Sequence, residues 1–100
     1  MKKLYNCNAR CDENTLISYN TVIFEERWAG SIYANIYPSK TTLMHIRKYI
    51  QWLKEQKQVA KAKIIQALYN CYLSTHKTQL KYYTTGYIVD RKTDNYLCRC

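Results

Sequence analysis

One hundred residues, 47% of them hydrophobic, are enough for one folded domain over residues 1–100, and two glycines with one proline leave no flexible linker to a separate catalytic module. A formal net charge of +9 favours a polyanionic partner or an acidic protein surface. No apolar run approaches the ~20 residues of a membrane-spanning helix, and the start has no apolar stretch of the kind a secretory signal requires, so a cytoplasmic location is expected.

In chain order, residues 2–6 read as a short strand running into a turn at Asn8, Ala9 and Arg10. Residues 15–28 are rich in β-branched and aromatic side chains and read as one long strand. Ala29 and Gly30 make a turn, and residues 31–37 return as its hairpin partner. Pro38 and Ser39 stop that strand. Ser39, Thr41 or Thr42 can then cap a helix in which Leu43, Ile46, Tyr49, Ile50 and Leu53 recur at three- and four-residue spacing, ending near Gln56. After a break at Lys57 and Gln58, Ala60, Ile64, Ala67, Leu68 and Cys71 repeat the pattern in a second helix that ends near Thr75 or His76. Residues 80–89 regain strand character, 90–95 form a polar turn, and 96–100 are a last strand. The expected fold is α+β, with an antiparallel sheet packed on two helices in the order β-β-β-α-α-β-β.

Five cysteines in a reducing compartment read first as metal ligands, catalytic thiols or small buried hydrophobes. Cys7 and Cys11 form C-x3-C beside a turn, and Cys98 and Cys100 form C-x-C, whose thiols would share one face of an extended strand. Two such pairs could supply four thiolates to a structural Zn²⁺ that fastens the two ends of the chain together. Unpaired thiols and disulfides remain the alternatives. Cys71 falls on the apolar stripe with Ile64 and Leu68 and reads as a buried small hydrophobe.

Nothing in the pattern requires an enzyme. His45 and His76 are the only histidines, and His45 sits one residue off the apolar stripe, as a partly exposed helix residue would. Glu25 and Glu26 are adjacent in a strand and so face opposite ways, which argues against an acid–base pair. No glycine-rich phosphate loop exists.

Charge is concentrated mid-chain, where residues 40–81 hold nine basic side chains against Glu55 alone. Arg47, Lys48, Lys54, Lys57, Lys61 and Lys63 flank the helical stripes and would make the outer helical surface positive, fit for solubility or for phosphate binding. Tyr5, Tyr19, Tyr33, Tyr37, Tyr82, Tyr83, Tyr87 and Tyr96 fall in the expected strands, where half must point away from the helices. An exposed tyrosine-rich sheet face, with Tyr33 and Tyr37 among its members, is a candidate recognition surface.

In its size, its low-glycine, Lys/Asn/Tyr-rich composition and the arrangement of Cys7, Cys11, Cys98 and Cys100, the chain resembles the type II anti-CRISPR proteins of phages and mobile elements, specifically zinc-binding Cas9 inhibitors. That resemblance implies a non-catalytic inhibitor, acting in the cytoplasm of a bacterial host, that binds a Cas9 effector at its recognition lobe and blocks target DNA loading. Many such inhibitors are acidic DNA mimics, and the basic balance here departs from that pattern. A basic face would instead engage an acidic patch or bound guide RNA. A small basic nucleic-acid-binding zinc protein is the alternative.

Overall fold

The computed structural model describes residues 1–99 and is an α+β fold: an eight-stranded antiparallel sheet with two helices on one face. The strands are β1 (Lys2–Lys3), β2 (Ala9–Cys11), β3 (Thr15–Ser18), β4 (Thr21–Glu26), β5 (Ile32–Asn35), β6 (Gln79–Tyr82), β7 (Tyr87–Asp90) and β8 (Tyr96–Arg99). Helices α1 (Lys40–Glu55) and α2 (Val59–Thr75) fall between β5 and β6. Strand order in the sheet equals strand order in the chain. Among the described residues no helix is long and apolar enough to cross a membrane.

Eight strands replace the five expected. Residues 15–28 do not form one strand, because Tyr19 adopts a left-handed conformation (φ 55°) and turns β3 into β4. Residues 80–89 divide in the same way into β6 and β7 about Gly86 (φ 97°). Ala9–Cys11, read as part of a turn, is a strand paired to both β1 and β3. The turn at Ala29 and Gly30 lies where expected, in a short 3-10 segment, Trp28–Gly30, that joins β4 to β5.

Both helices match their sequence signals. The Ser39 side chain accepts a hydrogen bond from the Thr42 N–H (3.1 Å), so it supplies the cap of α1. Lys57 (φ 62°) breaks the chain before α2, and His76 ends α2 in the left-handed region (φ 60°). The core lies between helices and sheet. One inward row runs across four strands as Leu16, Phe24, Ala34 and Leu80, and a second as Ile32, Tyr82, Ile88 and Cys98. Ile46, Tyr49, Leu53, Ile65 and Leu68 close the core from the helices. Helix α1 packs on β3, and α2 on β6 and β8.

β1 and β8 are the opposite edges of the sheet and do not pair with each other, so the strands form a meander, and Cys100 of the expected terminal zinc site lies outside the described residues. Short turns join every neighbouring pair except β5 and β6, and that topology carries the chain steadily from one edge to the other.

Candidate functional site: a cationic and aromatic sheet face

Period-two alternation gives the sheet a second face, which the helices do not cover. Its central cross-strand row is Thr15, Glu25, Tyr33, Lys81, Val89 and Tyr96. Tyr87 and Arg99 pair beside it. Val89 is buried yet lies outside the helix-side core cluster, which places an apolar floor under this outer face.

Three cations gather on the ring of Tyr33: Arg27 at 4.1 Å, Arg91 at 4.8 Å and Lys81 at 5.0 Å from its centroid. Lys81 also lies 4.5 Å from the ring of Tyr83, and Arg99 lies 5.3 Å from that of Tyr87. Each distance is within cation–π range. The Tyr33 hydroxyl is held below the usual phenol range, first by its hydrogen bond with Lys81 and then by the charges of Lys81 and Arg27. Arg91 is fixed by donating to the Ala34 carbonyl (3.3 Å). Glu25, paired with Arg27, is the acidic member of the central row, so the face stays strongly positive.

A cleft of about 380 Å³ opens on this face, lined by Arg27, Trp28, Ser31, Tyr33, Lys81 and Tyr83. That volume falls within the ~300–1,000 Å³ usual for ligand sites. One wall is the Trp28–Gly30 segment and the other the turn after β6. The first is rigid: Arg27 N–H donates to Ser31 O (2.7 Å), while Ser31 N–H (3.0 Å) and its hydroxyl (2.9 Å) both donate to Trp28 O. Gly30 (φ 77°) lets the two turns touch, since a Cβ there would fall 2.9 Å from Thr84 Cγ2. Trp28 itself is 90% exposed.

The basic residues singled out from sequence lie elsewhere. Tyr33 is the center of the outer sheet face, whereas Tyr37 is exposed near the N-terminus of α1. Arg47 and Lys54 share a shallow groove on the helices, where Arg47 Nη1 donates to Tyr69 Oη (3.0 Å). Lys48, Lys57 and Lys63 are also on the helical side or in its connecting turn. Lys61 is already engaged, donating to Glu13 O (3.1 Å) and Asn14 Oδ1 (3.2 Å) and pairing with Glu26, so it bolts α2 to the strands. The sheet face thus has its own cations, Arg27, Lys81, Arg91 and Arg99. Sequence reasoning missed this set because only strand register brings residues 27, 33, 81 and 91 together.

The cysteines separate into two neighbourhoods. Cys7 donates to Leu4 O (2.7 Å) near Cys11, whose thiol is pushed up to about 11 by burial first, then by Asp12 and Cys7. Cys98, six strands further along the sheet, lies beside Cys71 of α2. Burial first, and the neighbouring Cys98 thiol next, push Cys71 up to about 12. Cys71 is buried as expected. Among the described residues no three His, Cys, Asp or Glu side chains gather as a metal site, and Cys100 lies outside those residues.

His45 departs from its expected exposure. It is 1% exposed, and its Nδ1 is 2.7 Å from the buried Ser18 Oγ, with the Tyr19 ring 5.8 Å away. Desolvation, and less so Lys48, lowers its pKa, which keeps the ring neutral. With Ser18 also only 2% exposed, the pair satisfies two buried polar groups and ties α1 to β3.

Comparison with protein families, curated proteins and solved structures finds no match.

Proposed function

We propose that this chain is a non-catalytic binding protein whose helix-free sheet face engages nucleic acid. The observation that carries this reading is the convergence of Arg27, Lys81 and Arg91 on Tyr33 in an uncovered sheet row. Like charges so close repel one another, and a bound polyanion would relieve that repulsion while releasing its own counterions. The interleaved rings of Tyr33, Tyr83, Tyr87 and Tyr96 suit bases as well as phosphates. Arg27→Ala and Lys81→Ala should each weaken binding of a fluorescent oligonucleotide, and the parent affinity should fall steeply with salt. Binding that is insensitive to both changes sinks the reading.

The Cas9-inhibitor reading can use the same face, because guide RNA held by an effector presents phosphates to a basic partner. A pull-down of Cas9 with and without guide RNA tests it. Capture that requires the guide and is lost in Lys81→Ala supports that route. Capture that ignores both places the contact on another surface.

A further inference from the structure

We infer that the cleft between Trp28, Tyr33 and Tyr83 seats an unpaired base of a single-stranded nucleic acid, with Arg27 and Lys81 on its adjoining phosphate. This rests on the nucleic-acid reading of the sheet face and specifies the strand state and the seat.

The argument begins with Trp28. An indole 90% exposed to water is ordinarily mobile and unpartnered, but here its backbone is pinned by three hydrogen bonds within the Arg27–Ser31 segment. Its carrier is braced against the opposite turn, because Gly30 has no side chain to keep Thr84 away. The result is an exposed indole carried on a fixed backbone at a cleft whose lining also includes Tyr33 and Tyr83. A fixed carrier lowers the ordering cost of stacking a flat ligand on the ring it bears.

Duplex geometry does not satisfy such a seat. Paired bases are stacked on one another and present only edges and backbone, whereas a single strand can splay a base onto a side-chain ring. The charge pattern agrees. Arg27 and Lys81 line the same cleft as Trp28 and Tyr83, so one cleft offers both charge for a phosphate and rings for a base. An acidic peptide would meet the cations and leave the exposed indole without a stacking partner.

The test uses the full chain with Trp52→Phe, so that fluorescence reports Trp28 alone. The probes are a single-stranded oligonucleotide of about 12 residues, the same sequence as a duplex, heparin as a base-free polyanion, and an acidic peptide. The single strand should quench Trp28 and bind more tightly than the duplex. Trp28→Ala and Tyr83→Ala should each weaken single-strand binding about tenfold while leaving heparin affinity unchanged. Arg27→Ala and Lys81→Ala should weaken both ligands, and Lys2→Ala, at the far edge, should weaken neither by a comparable amount. Single-strand affinity that survives Trp28→Ala and Tyr83→Ala overturns the base seat, even if Arg27→Ala keeps the wider reading intact. Equal affinity for duplex overturns it as well. Failure of both oligonucleotide and heparin to bind removes the wider reading with it, and displacement of the oligonucleotide by the acidic peptide at lower concentration assigns the face to a protein.

Discussion

Leu80 and Lys81 are neighbours in β6, yet Leu80 is fully buried beneath the helices and Lys81 lies over two tyrosine rings on the opposite face. The contrast extends across the sheet. The inner row Leu16, Phe24, Ala34 and Leu80 is apolar and closely packed, whereas the outer row Thr15, Glu25, Tyr33, Lys81, Val89 and Tyr96 mixes hydroxyls, charges and rings. Both rows come from the same strands by simple alternation. Stability is thus concentrated on one side of the sheet, and the other side is left free to vary for recognition.

The sharpest way to break this comparison is to truncate matched positions on the two faces. Phe24→Ala, which empties a fully buried site stacked near Tyr49, should destabilise by about 3–5 kcal/mol in denaturant unfolding. A smaller loss would mean the helices do not seal the inner face. Next comes the polar tie between them. Ser18→Ala removes the partner of a buried imidazole and should cost about 1–3 kcal/mol. His45 has a folded pKa below its unfolded value of about 6.5, so the unfolded chain binds more protons there. Its contribution is present above about pH 6.5 and is lost as pH falls toward the folded pKa, and that acid loss should be absent in His45→Gln. On the outer face, Tyr83→Ala should change stability by no more than about 0.5 kcal/mol, whatever it does to binding. Last, a chelator should leave the melting temperature unchanged, because Cys7 and Cys11 sit near one edge of the sheet and Cys98 at the other. A clear drop on chelation, matched by zinc in mass spectrometry, would restore a metal to the account.

How far the sequence could carry the reading differed between elements. The two helices were legible because Ser39 supplies a cap and the apolar residues recur at helical spacing, and the β4–β5 hairpin because Ala29 and Gly30 interrupt a clear alternation. Tyr19 and Tyr5 concealed turns, since a tyrosine at positive φ carries no turn signal. Gly86 did carry one, and it marks where residues 80–89 fold back. The opposing directions of Glu25 and Glu26 followed from alternation alone, with Glu25 meeting Arg27 and Glu26 meeting Lys61. Periodicity reports which side of a strand a residue takes and is silent on which strand lies beside it. For that reason the nearness of Cys98 to Cys71 and the cations around Tyr33 were not foreseen. His45 was read as partly exposed because its place one residue off the apolar stripe could not show Ser18 waiting opposite.

The agreement of strand order with chain order bears on how the molecule assembles. Seven ladders hold the sheet, and six of them close over a few residues, so each can zip as soon as its two strands exist. Only β5 with β6 must wait for the helical hairpin to form and dock. That one long closure carries the largest loop entropy of the seven ladders, so lengthening the connection between α1 and α2 should slow folding while the six local ladders close as before.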